Sequence, residues 1–294
     1  MGVVKSNPLR LPRGNLALLS SLMGAYLLLV IIRSPDFLSL GSLFDLVRSG
    51  SAYTIVACGV LVVMVSGGID VSFLANAIFS AYVATTACNS LGVDSLALAL
   101  SVAIACGTLI GVVNGLVIYL FSLPTLITTL AMQGVLQGIL MVLLRARPIT
   151  ASHMPSSLRA LGIDVLFVIP NRGQFLGLSE FAAPLVVVLA LTWYLLNRTA
   201  IGRATYAVGS NPTAARRCGV SILGVDLFVY AYAGALAGLT GLLMVSDVRL
   251  VDPVSLVGNE LFVLAAVVIG GAKLTGGSGS VLRAPSSLLT QKAA

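Results

Sequence analysis

Six stretches of the chain lack any charged residue and are dominated by apolar side chains. They cover residues 14–32, 49–69, 71–93, 95–144, 181–197 and 227–246. An α-helix needs roughly 17–25 such residues to cross about 30 Å of hydrocarbon, so all but the longest stretch match a single crossing. This pattern predicts an all-α fold, in which a polytopic chain crosses a membrane several times.

The longest stretch, 95–144, exceeds the length of one crossing and contains Pro124. Proline removes a backbone donor and disfavours helix at the residue before it, so two helices joined by a tight turn are predicted here. The total becomes about seven crossings. A shorter uncharged stretch, 261–272, is better suited to a partial or re-entrant helix near the C-terminus.

Composition agrees with a bilayer as the main solvent of the chain. Charged residues make up 9% of the sequence and hydrophobic residues 58%, whereas soluble domains carry about 25% charged residues. The net charge of +7 is typical of a membrane protein that faces anionic lipid. With no basic and aromatic cluster beside it, this charge does not indicate nucleic-acid binding.

The cysteines and the single histidine give little support to metal chemistry. Cys58, Cys88, Cys106 and Cys218 show no paired spacing, and the first three lie within apolar stretches. We interpret them as packing residues rather than as disulfides or metal ligands. His153 falls in a predicted loop and is interpreted as a solvated side chain, so no metal site and no cofactor are expected.

The distribution of basic residues predicts a cytoplasmic N-terminus. The first apolar stretch follows basic residues and lacks a small-residue cleavage site, so we interpret it as an uncleaved helix. With this orientation, residues 145–180 form an outer loop and residues 198–226 an inner loop. The inner loop concentrates arginines near helix ends, as cytoplasmic loops do. These arginines are Arg198, Arg203, Arg216 and Arg217.

A polar break interrupts the apolar pattern between the second and third predicted helices. It contains Gly67, Gly68, Asp70 and Ser72, and Asp70 is the only charged residue between 49 and 93. One interpretation is that the glycines end one helix and that Asp70 or Ser72 caps the next. Another is that the break lines a translocation pathway, because transporters often place interrupted helices beside their solute. The two interpretations are compatible.

Four uncharged polar side chains lie within apolar helices, namely Asn76, Asn114, Gln133 and Gln137. The two glutamines are four residues apart and therefore share a helix face. They can bond to a neighbouring helix or to a hydroxylated solute that passes by. These four residues, together with those of the break, are the candidates for a translocation pathway.

The inner loop 198–226 carries the signals of a short helix of its own. Asn211 is a predicted N-cap, Pro212 suits the first helical position, arginines follow in the last turn, and Gly219 is a predicted stop. A helix this short is not stable without contacts to other parts of the protein or its surroundings, because the free-energy cost of nucleation exceeds the stabilisation that so few helical residues provide. Contact with lipid and docking to a cytosolic partner both remain open at this point.

A glycine-rich segment, 270–280, follows the last apolar stretch. It lacks the Gly-Lys-Ser/Thr spacing and the strand-to-helix setting of a phosphate-binding loop, so nucleotide binding is not expected. A tightly turning re-entrant tip fits its composition better.

These motifs resemble the membrane permeases of bacterial sugar ABC importers of the ribose, arabinose, xylose and galactose type, including the autoinducer-2 permeases. The matching segments follow the order of that family from about residue 15 to residue 281. They are VSGGIDVS (65–72), NGLV (114–117) with Leu123-Pro124 and Thr128-Thr129-Leu130, Arg147-Pro148-Ile149, GRA (202–204) with AVGSNPTAAR (207–216) and Gly219, and AAVVIGG (265–271) with GGSGSV (276–281).

The resemblance implies a bacterial inner-membrane subunit, without catalytic residues, that imports a monosaccharide-like solute. The implied partners are a cytoplasmic ATP-binding subunit, a periplasmic solute-binding protein and a second permease copy, identical or paralogous. A membrane-embedded permease domain would span residues 1–281. The residues implied in coupling to the ATPase are Gly202, Arg203, Gly209, Asn211, Pro212, Ala214, Ala215, Arg216 and Gly219.

The chain departs from the family pattern in two places. After Ser72 the family continues with small residues, whereas this chain has Phe73-Leu74-Ala75-Asn76. Beyond residue 281 the family continues with further apolar helices, whereas residues 282–294 contain no stretch long enough to span a membrane. We therefore expect a short, atypical tail and a chain that is truncated relative to the family.

A secondary transporter driven by an ion gradient is the alternative from another class. It would need an intramembrane coupling residue, for which Asp70 is the candidate. A neighbouring ATPase gene would favour the importer over this alternative. The identity of the solute does not follow from the sequence, because pentoses, hexoses and related ligands are all neutral and rich in hydroxyl groups.

Overall fold

The computed structural model describes residues 32–33, 39–145, 148–171, 174–252, 255 and 258–279. The predicted first crossing, 14–32, lies outside these residues except for its last position, and the predicted tail, 282–294, lies wholly outside them. Both stay predictions, as does the domain boundary at residue 281.

The described part of the chain consists of ten α-helices and two small antiparallel strand pairs. The helices are α1 (Leu40–Val65), α2 (Phe73–Leu91), α3 (Leu96–Phe121), α4 (Thr125–Leu144), α5 (Ser156–Leu161), α6 (Ala182–Arg198), α7 (Ala200–Ser210), α8 (Pro212–Arg217), α9 (Ile222–Val248) and α10 (Glu260–Ile269). The strands are β1 (Ile149–Thr150), paired with β4 (Leu250–Val251), and β2 (Val165–Asn171), paired with β3 (Gln174–Ser179).

Hydroxyl side chains fix the start of several of these helices. Each accepts a hydrogen bond from a backbone N–H in the first turn, which would otherwise lack a partner. The pairs are Ser39 with Ser42 at α1, Ser95 with Leu98 at α3, Thr199 with Gly202 at α7 and Ser221 with Gly224 at α9. These helix starts are therefore encoded by the local sequence.

Four of the described helices, α1, α3, α4 and α9, are long and apolar enough to cross a membrane. A fifth span results if α6 and α7, which meet at 71°, are counted as one broken span. The all-α polytopic class is thus confirmed, whereas the count of seven crossings stays a prediction. Helix α2 is too polar to pass the same test because it carries buried polar side chains, among them Asn76, Ser80 and Thr85.

The bounds predicted for the second crossing, 49–69, are corrected by the structure. Helix α1 begins at Leu40 and continues through Arg48, because the guanidinium of that residue is paired. Its Nε donates to Asp247 Oδ1 at 3.0 Å, and its Nη2 donates to the carbonyl of Gly162. The helix ends at Val65 because Gly67 adopts a positive φ of 90°. The predicted division of 95–144 at Pro124 is confirmed by α3 and α4.

Helix α9 lies at the centre of the fold and packs against α1, α2 and α3. Glycines allow its backbone to touch that of α3. A Cβ atom on Gly111 would lie 2.8 Å from the carbonyl carbon of Tyr230, and one on Gly234 would lie 3.0 Å from that of Gly107. Small residues at facing positions are how membrane helices approach closely without a hydrophobic driving force.

The predicted outer loop, 145–180, has more structure than the sequence indicated. It contains the β2–β3 hairpin and helix α5, and strand β1 pairs with β4 beyond α9. Asp94, in the turn between α2 and α3, accepts hydrogen bonds from Ser156 and Ser157 at the start of α5. These bonds, with the Ser156 hydroxyl foremost, hold the pKa of the Asp94 carboxyl well below its usual range.

Candidate functional site

The polar break between α1 and α2 is folded around the side chain of Asp70. Asp70 and Ser72 are buried, and Asp70 Oδ1 accepts hydrogen bonds of 2.7 Å from both the backbone N–H and the hydroxyl of Ser72. Of the two predicted alternatives, Ser72 occupies the N-cap position of α2, but its hydroxyl donates to Asp70 and makes no cap hydrogen bond, whereas Asp70 accepts from the N–H of Ser72. The carboxyl group of Asp70 thus stabilises the turn that precedes the helix.

Two threonines of α4 satisfy the backbone of the break. Thr125 Oγ1 accepts from the N–H of Ile69 at 3.0 Å, and Thr129 Oγ1 accepts from the N–H of Val71 at 3.3 Å. The Thr129 hydroxyl also lies 3.3 Å from the carbonyl of Ile69, to which it can donate. Non-helical backbone at membrane depth needs such partners, because lipid supplies none. The sequence marks Thr129 only as part of a family motif and predicts a role at the break for neither threonine.

The two asparagines tie the break and α2 to α3. Asn114 Nδ2 donates to the hydroxyl of Ser72 at 3.0 Å. Asn76 Nδ2 donates to the carbonyl of Gly107 at 3.2 Å, and Asn76 Oδ1 accepts from Ser80 at 3.0 Å. Both asparagines are buried. Each therefore makes a contact between helices, as their positions in apolar stretches suggested.

Two buried polar atoms beside the break have no hydrogen-bond partner among the described residues. One is Asn114 Oδ1, and the other is the hydroxyl of Tyr230. The Tyr230 hydroxyl lies against Gly68, where a Cβ atom would approach it to 2.6 Å. Gly68 is thus required at this position because it leaves room for the tyrosine.

The two glutamines of α4 differ in the contacts that they make. Gln133 Nε2 donates to Glu260 Oε1 at 2.8 Å, which links α4 to the start of α10. Gln137, one turn further along, is half-buried and makes no hydrogen bond with the described residues. Glu260 itself is buried and was missed by sequence reasoning. The signal that could have found it is its position at the edge of a short apolar stretch, directly before residue 261.

The helix predicted within the inner loop is present as α8. Asn211 Oδ1 accepts from the N–H of Ala214 at 3.0 Å, and Pro212 occupies the first helical position. After the helix, Gly219 adopts a φ of 84°, and the N–H of Val220 donates to the carbonyl of Ala215 at 3.1 Å. This left-handed stop satisfies the last carbonyls of the helix. Both ends of α8 match the sequence signals.

Helices α7 and α8 expose most of their predicted coupling residues. Arg203, Asn211, Pro212, Ala214, Arg216 and Gly219 are exposed. Ala215, by contrast, is 4% exposed and packs into the main apolar core. Gly202 is buried at the bend between α6 and α7, where a Cβ atom would lie 2.6 Å from the carbonyl oxygen of Leu196. The segment therefore has an exposed basic outer surface and a tightly packed inner one.

Three motifs that are far apart in sequence meet at one cluster of glycines, which we call the glycine junction: Gly67, Gly209, Gly276 and Gly277. The N–H of Gly277 donates to the carbonyl of Val65, the last residue of α1, at 2.9 Å. A Cβ atom on Gly276 would lie 2.6 Å from the Cα of Gly67, and one on Gly209 would lie 2.7 Å from the nitrogen of Gly277.

The glycine junction brings α7 into direct contact with the polar break and with the glycine-rich segment predicted as a re-entrant tip. The hydroxyl of Tyr206, on α7, donates to the carbonyl of Gly279 at 3.0 Å and adds a second link to that segment. A displacement of α7 would therefore reach the break through backbone contacts. Among the described residues, no cluster of histidine, cysteine or acidic side chains has the arrangement of a metal site.

Comparison with known proteins assigns the chain to a family of transport proteins. The family described as "Branched-chain amino acid transport system / permease component" matches residues 42–285, and the chain belongs to this family. Its members are components of transport systems rather than enzymes. No solved structure matches the chain.

Several relatives are named as import permeases. The ribose import permease protein RbsC of Haemophilus influenzae is 34% identical over 185 residues, which cover 63% of this chain and 55% of the relative. RbsC of Bacillus subtilis is 35% identical over 169 residues, which cover 58% of this chain and 50% of the relative. The autoinducer 2 import system permease protein LsrC of Yersinia pestis is 30% identical over 191 residues, which cover 64% of this chain and 51% of the relative. The matched region spans about half the length of these relatives.

Proposed function

We propose that the chain is the permease subunit of an ABC importer that moves a monosaccharide-like solute into the cytoplasm, powered by a separate ATPase subunit. The observation that carries the proposal is the exposed, doubly capped helix α8, whose neighbour α7 contacts the polar break at the glycine junction. The class of solute is proposed from the relatives, which are named as ribose and autoinducer 2 import permeases.

The shape of α8 suits a docking element. Its outer surface presents Ala214 and two arginines to solvent, while Ala215 anchors it to the core. A helix of six residues is not stable by itself, but caps and one buried anchor can hold it ready for a partner. In this proposal Ala214, Arg203 and Arg216 contact the ATPase subunit, whereas Ala215, Gly202 and Gly209 keep the segment rigid.

An importer of this type would need two further protein partners. A periplasmic solute-binding protein would deliver the solute to the face that carries the β2–β3 hairpin, and a second permease copy, identical or paralogous, would complete the pathway. The chain would cross the bacterial inner membrane several times with its N-terminus in the cytoplasm. Lipid would cover the exposed apolar side chains of α3 and α4, such as Leu109, Val113, Ile127 and Val135.

The solute pathway is proposed to run beside the break and along α4. Gly67, Gly68, Asp70 and Ser72 shape the break, and Asn76 and Asn114 hold it against α3. Gln133 and Gln137 continue the polar surface along α4. The asparagines are committed to contacts between helices, so the glutamines are the stronger candidates for contact with the solute.

The test is co-purification with the cognate ATPase subunit. Ala214→Glu changes an exposed position without disturbing the anchor, and it should abolish co-purification while membrane insertion is retained. Ala200→Glu, at an exposed position on α7, is the control and should leave co-purification intact. Unchanged association of the Ala214→Glu variant would exclude docking through α8.

The same preparation separates the importer from an ion-driven carrier. In proteoliposomes that contain the ATPase and binding protein, uptake should require ATP and persist without any ion gradient. Uptake that follows an ion gradient, needs no ATPase and is lost in Asp70→Asn would instead favour the secondary transporter.

A further inference from the structure

One face of α4 carries a polar side chain at every fourth residue, although the rest of the helix is largely apolar. We call this set the α4 stripe; it consists of Thr125, Thr129, Gln133 and Gln137. Residues four apart lie one above another on a helix, so the stripe extends about 18 Å along the helix axis. The two threonines are occupied by the backbone of the break. The two glutamines make no such hydrogen bond to the break and can therefore serve another function.

Glu260 meets the stripe from the start of α10. Its side chain is 7% exposed, Oε1 accepts from Gln133 Nε2, and Oε2 accepts from the N–H of Gly258, both at 2.8 Å. Gln133 lies about 12 Å from the first residue of α4, which places the pair near the middle of the membrane. A carboxyl group at that depth costs several kcal/mol, and such groups usually mark a transport pathway.

Part of the hydrogen-bonding capacity of this site is unused. Gln133 Oε1 is buried and has no hydrogen-bond partner among the described residues. The amide of Gln137 lies one turn further along, half-buried and likewise without a bond to a described residue. A buried acceptor without a partner costs about 1–3 kcal/mol, so Gln133 Oε1 would gain from a ligand that donates a hydrogen bond to it. The unused hydrogen-bonding groups of Gln133 and Gln137 therefore match the needs of a polar ligand.

Helix α10 adds a second reason to look here for a ligand. It contains ten residues, too few to cross a membrane, and it begins at Glu260. Transporters place the N-termini of such partial helices beside the solute, near the middle of the bilayer.

We propose that Glu260, Gln133 and Gln137 form a binding site for neighbouring hydroxyl groups of the solute during its passage. The proposal rests on the function proposed above and deepens it. The carboxylate of Glu260 can accept hydrogen bonds from two adjacent hydroxyls, and the amides can both donate and accept. Glu260 is then the residue that selects a polyhydroxylated solute over a less hydroxylated one.

Cysteine labelling tests whether water reaches the site. In a variant with Cys58, Cys88, Cys106 and Cys218 replaced by alanine, cysteine is introduced at single positions of α4. Gln133→Cys and Gln137→Cys should react with a membrane-impermeant thiol reagent at least about tenfold faster than Val135→Cys. Val135 is the matched control because it lies on the same helix, among exposed apolar side chains. Equal rates at the three positions would overturn the proposal.

Transport kinetics test whether Glu260 contacts the solute. Glu260→Gln keeps the size of the side chain. Its one oxygen can still accept from the N–H of Gly258, and its amide nitrogen can donate to Gln133 Oε1 once the Gln133 amide turns over, so the links to α4 and to Gly258 can persist. For the sugar that the wild-type complex transports, KM should rise about tenfold or more while the maximum rate stays within about twofold, as expected for a lost charged hydrogen bond. The variant should also lose the preference of the wild type for that sugar over its monodeoxy analogues.

The outcomes separate this proposal from the proposed function. If the wild-type complex transports sugar and Glu260→Gln leaves both KM and the preference unchanged, the site is a structural link and this proposal is wrong, while the importer stands. If the wild-type complex transports no sugar, the importer fails, and the labelling rates still decide whether water reaches the α4 stripe.

Discussion

Two helices of this protein, α3 and α4, are neighbours in sequence but are held in different ways. Gly107 and Gly111 of α3 bring its backbone against α9. Among the described residues, Gly134 and Gly138 of α4 face open space, since a Cβ atom on either would meet none of them within 4 Å. Helix α4 is instead joined to the rest at separate points, by hydrogen bonds at Thr129 and Gln133 and by the buried side chain of Leu140.

The difference assigns unlike mechanical roles to the two helices. Backbone contact between α3 and α9 has one close-packed arrangement and resists displacement. Hydrogen bonds at separate points can be replaced one at a time as a helix shifts, either by hydrogen bonds to the solute or by hydrogen bonds to other residues in a new register. We infer that α3 and α9 form the fixed part of the fold and that α4 is the part that moves relative to the break.

The largest expected effect comes from exchanging glycine for leucine in each helix. Gly111→Leu would place its side chain against the backbone of Tyr230 and should destabilise the fold by about 3 kcal/mol or more. Gly138→Leu, in open space on α4, should change stability by less than about 1 kcal/mol. Thermal unfolding in detergent, followed by the fraction that elutes as a single species, measures both. Similar losses in the two variants would remove the distinction between α3 and α4.

A smaller effect is expected at the polar points that hold α4. Thr129→Val keeps the shape of the side chain but removes its hydrogen bonds to the break, which should cost about 1–2 kcal/mol because the N–H of Val71 is left without a partner. Thr108→Val on α3 is the control, since the Thr108 hydroxyl bonds only to the carbonyl of Ile104 in its own helix. Equal destabilisation in the two variants would show that the break does not depend on α4.

The helices and their ends were largely predictable, because their causes are local. Asn211 and Gly219 bound α8 in the sequence as they do in the structure, and Pro124 divides α3 from α4. That α1 runs through Arg48 was not predictable, because the charge of Arg48 is offset by Asp247, almost two hundred residues away. Charge-free stretches therefore underestimate a helix whose charged residue finds a distant partner.

The candidate site was predicted as separate motifs and not as one assembly. The sequence marks Gly67, Gly209 and Gly276 as parts of three motifs, but only the folded chain brings them into contact. The contacts of Thr129 and Glu260 were not predicted for a similar reason. A threonine within an apolar helix normally bonds to its own helix, and an acid beside a loop is normally solvated.

The most direct test of the account follows the reactivity of Gln137→Cys in the cysteine-free variant while the ATPase subunit is bound. Transmission from α8 through the glycine junction to α4 predicts that the labelling rate differs severalfold between the nucleotide-free and ATP-bound complexes. The difference should disappear when Ala214→Glu is added. A labelling rate that is the same in both nucleotide states, with the ATPase demonstrably bound, would contradict the claim that this chain is a permease driven through α8.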